Sequence, residues 1–173
     1  TNPFLFNFIV KIINQIFGYE EFNARYISST FGILSIFLLG YLSKIILNKR
    51  SFILTIILSS LNVYLIMYSF EGRVYSTLFF FSILTLIFFI KVLKKAEKNE
   101  NIFKDLCLYF IFQTLSILLH PFSLIILYTI IFFILLRIVL KNKINRSVNY
   151  ILFFLFIFSI IYLMFYYQFA LLD

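Results

Sequence analysis

Two apolar runs, Ser51 to Phe70 and Val74 to Ile90, are joined by only three residues, Glu71-Gly72-Arg73, with Tyr68 and Tyr75 on either side. Each run is free of charge and close to the roughly 20 residues that a helix needs to cross a bilayer core. So short a link makes the two helices antiparallel and pins an acid, a base and two phenols at the lipid boundary. A membrane β-barrel would instead alternate in segments of about ten residues, whereas these runs are continuous.

Composition agrees. Hydrophobic residues make up 63% of the chain and charged residues 13%, with a mean hydropathy of +1.04, against a soluble average near one half apolar and one quarter charged. The expected fold class is therefore all-α, a polytopic membrane protein. Cys107 is the one cysteine, which leaves neither a disulfide framework nor a thiolate metal cluster. The chain opens at Thr1 with no basic segment and cleavage signature of a targeting peptide. It reads as one transmembrane domain over residues 1–173, a segment of a longer protein.

The elements follow from periodicity. Between Phe4 and Phe17, Asn7, Lys11, Asn14 and Gln15 form a polar stripe opposite Phe4, Leu5, Phe8, Ile9, Ile12, Ile13 and Ile16. That pattern predicts an amphipathic helix lying in the membrane interface, entered at Pro3 and ended by Gly18. A first span is expected at about Tyr26 to Leu47, and the second and third flank the hinge. Leu106 to Leu136 is a 31-residue stretch interrupted by His120-Pro121. As one straight helix it would reach about 46 Å, too long for a core of about 30 Å, and Pro121 cannot continue the hydrogen-bond ladder. Two short helices meeting at His120-Pro121 are expected, then a last span at about Tyr150 to Phe169. The total is six spans and one interfacial helix.

With six alternating spans, 12 of the 15 basic residues fall on one side, and Lys11, Arg25 and Arg73 on the other. The basic side is cytoplasmic by the positive-inside rule, so the interfacial helix, the hinge and His120 face outward. The net charge of +8 is then a topology signal with attraction to anionic membrane lipid, and nucleic acid is not a partner.

Each outward polar residue also has a structural reading. Arg25 can snorkel to headgroups, Glu71 and Arg73 can form a weak exposed pair, and the tyrosines, Tyr75 among them, can belong to an aromatic belt. Ser28, Gly32 and Gly40 share one helix face and suit close helix packing, and Asn62, Gln113 and Thr114 suit hydrogen bonds between helices. His120 is harder to treat so. A 14-residue helix from Leu106 to Leu119 spans about 21 Å and leaves the imidazole below the outer surface, where a polar ring beside a proline break usually lines a cavity.

Read in order, Asn2-Pro3-Phe4-Leu5, Phe17-Gly18-Tyr19-Glu20-Glu21-Phe22-Asn23-Ala24-Arg25-Tyr26-Ile27-Ser28, Tyr68-Ser69-Phe70-Glu71-Gly72-Arg73-Val74-Tyr75 and Leu119-His120 resemble the GT-C glycosyltransferases of the dolichyl-phosphate-mannose-protein mannosyltransferase type. That group includes the aminoarabinose transferases and the Rgt-type lipopolysaccharide sugar transferases. The resemblance runs over essentially the whole chain; Asn2 stands where the family often has His, and a single Pro3 where it has two prolines. It implies an inverting transfer of a sugar from a polyprenyl-phosphate donor to a hydroxyl of a protein, lipid or glycan acceptor. The site would face outward from a bacterial inner membrane. The residues matching the family's motifs are Arg25, Glu71, Arg73, Tyr75 and His120, read as the donor-phosphate site. The catalytic base would be an acidic residue upstream of Thr1. No cofactor is assigned; a divalent metal is compatible with the reading, without assigned ligands. Two other classes compete. A transporter or flippase of lipid-linked sugar would place ionisable residues deep within spans, where this chain has amides, hydroxyls and Tyr. A noncatalytic scaffold would not gather polar groups on one face.

Overall fold

The computed structural model describes residues 4–18, 22–98 and 100–131, and the described residues are helical throughout apart from short turns. The chain divides into two compact units, Thr1–Ser123 and Leu124–Asp173. In the second, the described residues 124–131 are helical. The first comprises α1 (Phe4–Phe17), α2 (Phe22–Ile46), α3 (Lys49–Ser60), α4 (Val63–Phe70), α5 (Tyr75–Glu97), α6 (Phe103–Leu119) and a 3-10 turn at Pro121–Ser123. The spans expected beyond residue 131, the basic residues at 137–146, the Asn2-Pro3 entry and Glu20-Glu21 lie outside the described residues.

By length and composition, α2 and α5 can each cross a membrane, and α3 with α4 makes a third if the bent pair is one span. The sequence predicts one helix over Ser51–Phe70; the structure bends it by 61° between Ser60 and Val63. The cause is local. Ser59 and Ser60 donate back to carbonyls of Thr55 and Ile57, and Asn62 accepts from the backbone N–H groups of Tyr64 and Leu65. Ser and Asn compete with helical hydrogen bonding in this way, and Asn is among the strongest N-caps. Asn62 is thus a cap within the chain rather than a bridge between helices. Thr114 likewise donates to Phe110 of its own helix, whereas Gln113 reaches the Ser123 carbonyl across the His120-Pro121 break.

Helix α5 also runs past its expected end at Ile90 to Glu97, carrying Lys91, Lys94 and Lys95 on helical backbone. These lysines are engaged. Lys91 lies 4.8 Å from the Phe88 ring and 5.6 Å from that of Tyr41, Lys94 donates to the Ile45 carbonyl, and Lys95 pairs with Asp105 at 2.6 Å. The C-terminal ends of α2 and α5 and the start of α6 therefore meet at one end of the unit.

Between apolar helices in lipid, packing depends on close van der Waals contact rather than on exclusion of water. Hence the small residues of α2 matter. A β-carbon at Gly32 would come within 2.6 Å of Ser69 Cβ, and one at Gly40 within 2.8 Å of Ile56 Cγ1, so these glycines let α4 and α3 lie against α2. On the other flank α5 packs on α6, with Phe88 and Phe112 stacked at 5.4 Å and Phe89 6.0 Å from Tyr109. At the hinge end, Phe6, Ile27, Val74 and Leu119 form a buried cluster, with Leu5, Ile9, Val10 and Ile13 of α1 packed against it. Phe8, Ile12 and Ile16 stay exposed along a neighbouring ridge of α1. One apolar face thus grips the bundle while the other is exposed.

Candidate functional site

The site is built where α1, the start of α2, the hinge and the end of α6 converge. Gly18 ends α1 in the left-handed region at φ +87°, a C-terminal conformation that glycine adopts without steric cost. Asn23, buried at the head of α2, donates to Asn14 Oδ1 at 2.7 Å and to the Gly18 carbonyl at 2.9 Å. These two bonds tie α1 to α2, and Phe6 enters the apolar cluster beneath it.

The hinge is held by hydroxyls. Ser28 donates to the Arg73 carbonyl at 2.9 Å, Ser29 to the Ser69 carbonyl at 3.0 Å, and Ser76 to the Tyr68 carbonyl at 2.8 Å. Non-helical backbone near membrane depth needs such partners, so Ser28 is a donor to the hinge as well as a small packing residue. Gly72 sits at φ +65°, and a β-carbon there would lie 3.1 Å from Arg25 Cγ and 3.4 Å from Arg25 N. The turn can therefore rest directly on the backbone of α2.

Glu71 and Arg73 form an ion pair at 3.8 Å, with the Arg73 side chain 68% exposed. An exposed pair at that separation stabilises little and leaves the guanidinium donors available. The Tyr75 ring lies 5.2 Å from Tyr68 and 6.4 Å from His120, and the Phe122 ring lies 4.6 Å from His120. His120 caps α6 in an extended conformation at φ −161°, ψ 136°. Its backbone N–H donates to Ser116, its Nδ1 accepts from the Phe122 N–H at 3.2 Å, and its carbonyl accepts from the Ser123 N–H at 3.1 Å.

These groups surround a cavity of about 330 Å³ lined by Phe6, Asn7, Gly72, Arg73, Val74, Tyr75 and His120, at the lower end of the range for small-molecule sites. Of the residues expected from the sequence, Arg73, Tyr75 and His120 share this cavity. Arg25 and Glu71 do not line it: Arg25 packs its stem behind Gly72 and carries its guanidinium 5.6 Å from the Phe22 ring, and Glu71 reaches the site only through Arg73. Asn7 lines the cavity although the sequence marks it only as one position of a polar stripe. Its signal is there in part, since it stands on the side of α1 opposite Ile9 and Ile13, but nothing in the stripe says which loop it will face. Among the described residues, no group of three or more His, Cys, Asp or Glu side chains could hold a metal ion.

The cavity thus offers one guanidinium, one phenol, one imidazole and one carboxamide, with apolar walls from Phe6 and Val74. Among the described residues, its lining has donors for an anion and no carboxylate. The family model for dolichyl-phosphate-mannose-protein mannosyltransferase matches residues 1–166. No curated protein and no solved structure matches the chain. With the family match extending over nearly all 173 residues, the chain belongs to the dolichyl-phosphate-mannose-protein mannosyltransferase family.

Proposed function

We propose that the cavity beneath α1 receives the phosphate of a polyprenyl-phosphate sugar on the extracytoplasmic face, and that the sugar passes from it to a hydroxyl acceptor. Family membership makes the protein a membrane glycosyltransferase of the GT-C type. The observation that carries the finer reading is the meeting of Arg73, Tyr75 and His120 around one space at the end of the unit opposite the lysine-rich one.

In the transfer, the bond between the anomeric carbon and the phosphate oxygen breaks, and the phosphate leaves with the electron pair. The acceptor oxygen forms the new bond with inversion and gives its proton to a base. Charge therefore grows on the phosphate, where a fixed donor is worth most. Arg73 supplies a guanidinium fork suited to phosphate oxygens, and Tyr75 and His120 add further hydrogen-bonding groups at the cavity wall. Among the described residues the cavity lining contains no carboxylate, and we assign the base to an acidic residue preceding Thr1, as the resemblance to the family implies. The acceptor is a hydroxyl of a protein, lipid or glycan, and we place the enzyme in a bacterial inner membrane.

The test is Arg73→Ala in the full-length enzyme, assayed with a polyprenyl-phosphate sugar. Loss of one such donor typically costs about 3 to 4 kcal/mol in the barrier, so turnover should fall by roughly a hundredfold to a thousandfold at unchanged fold, with Arg73→Lys recovering part. Undiminished transfer by Arg73→Ala would remove the cavity from the mechanism.

A further inference from the structure

Three residues after α6 fix more than the position of His120. The residue before a proline is held out of the helical region, and His120 is extended accordingly. Pro121 has no N–H, so the first amide able to turn back is that of Phe122, and it donates to the imidazole Nδ1 at 3.2 Å. This is the side-chain turn that Asn and Asp make with the amide two residues on, made here by a histidine. The Ser123 N–H closes on the His120 carbonyl at 3.1 Å, and the ring centroids of Phe122 and Tyr75 lie 4.6 Å and 6.4 Å from that of the imidazole. An acceptor at Nδ1 cannot carry the proton in the neutral ring. The proton is then on Nε2, the nitrogen left for a ligand, because which ring nitrogen is protonated follows from the bond the other makes.

We propose that His120 is a neutral Nε2–H donor to the anion bound in the cavity, not a proton acceptor in the transfer. The inference rests on the donor-phosphate reading of the site. It makes the two recognition groups complementary: Arg73 provides charge, and His120 provides a directional hydrogen bond from a ring whose tautomer is set by the main chain before the ligand arrives. A base at this position would need a bare Nε2, and the Phe122 amide removes that option.

Two substitutions separate this role from that of a structural turn. In His120→Asn the side-chain oxygen can accept the Phe122 N–H, so the turn survives while the far donor is lost. In His120→Gln the amide nitrogen reaches the place of Nε2, so the donor survives while the turn acceptor is lost. With undecaprenyl phosphate as the probe, His120→Asn should weaken binding roughly tenfold to a hundredfold, the range for a hydrogen bond to a charged group, and His120→Gln should recover most of that loss. The reverse order would make His120 a turn residue and overturn the proposal, as would equal losses in two variants that stay folded by circular dichroism.

The wild-type protein supplies a test that needs no variant to fold. In protein labelled with ¹⁵N-histidine, with the His120 signals identified as those missing from His120→Gln, the ligand-free ring at neutral pH should show a protonated Nε2 and a bare Nδ1. Undecaprenyl phosphate should move the Nε2 resonance, and undecaprenol should not. A proton on Nδ1, an imidazolium, or an Nε2 indifferent to the phosphate would each overturn the assignment. The tautomer is read without ligand or turnover, so its failure leaves the donor reading standing, whereas full transfer by Arg73→Ala would remove that reading whatever the tautomer.

Discussion

A β-carbon at position 72 would meet Arg25 Cγ at 3.1 Å in a residue held at φ +65°, whereas one at Gly18, at φ +87°, would meet nothing within 4 Å. Both glycines relieve the left-handed backbone, which costs an L-residue about 1 to 2 kcal/mol, but only Gly72 also makes a close approach. Gly72→Ala should therefore lower the thermal midpoint of the purified protein more than Gly18→Ala does, and should depress transfer besides, because the hinge carries Arg73. Equal effects in the two variants would show that contact with α2 does not set the hinge. At this scale the sequence shows which residues are out of place in an apolar chain, and so it marks Arg73, Tyr75 and His120. It cannot separate Arg73 from Arg25, which have the same charge near the same boundary. What separates them is the direction of a guanidinium, one beside the cavity and the other over the Phe22 ring, and direction depends on neighbours that are distant in the chain.

Helix existence was legible wherever hydropathy and length agreed, as in α2 and α5, because crossing a bilayer leaves little choice. The interruption at Asn62 was not, since one amide among apolar neighbours barely changes the average while its cap changes the backbone. Ser51 shows the same economy: it accepts from the Asn48 N–H while Asn48 accepts from Arg50 and Ser51, starting α3 in a capping box. Lys91, Lys94 and Lys95 hid the length of α5, because charges read as a loop can remain helical when each finds a ring, a carbonyl or a carboxylate. The bend itself can be measured. Asn62→Ala removes the acceptor of two amides and should cost roughly 0.5 to 2 kcal/mol by the usual worth of an N-cap. Spin labels at Ile53 and Met67, both exposed, should then report a longer and broader distance distribution as α3 and α4 straighten. An unchanged distribution would assign the bend to packing against Gly32 and Gly40 instead of to the cap.

Across the whole of the first unit, charge is sorted by end. Ser28 and Ser29 hold the hinge at the head of α2, and Lys94 and Lys95 bind the far ends of α2, α5 and α6 together, so α2 and α5 run parallel, with α6 running back. Lys11, Arg25 and Arg73 consequently lie near the cavity, while Lys44, Lys49, Arg50, Lys91, Lys94, Lys95, Lys98 and Lys104 lie at or near the other end. Loops rich in Lys and Arg stay cytoplasmic, and this sorting supports the extracytoplasmic site that we propose. Single cysteines can test it in a Cys107→Ser background, where the removed thiol is exposed and free. Glu71→Cys marks the hinge end and Asn101→Cys the loop between α5 and α6; both positions are exposed. In intact cells a membrane-impermeant maleimide should label Glu71→Cys and reach Asn101→Cys only after permeabilisation. Labelling of Asn101→Cys alone in intact cells would invert the site to the cytoplasmic face and exclude a donor presented outside. Labelling of both would mean that the chain between them does not cross the membrane as α5, leaving the antiparallel hinge without the bilayer that explains it.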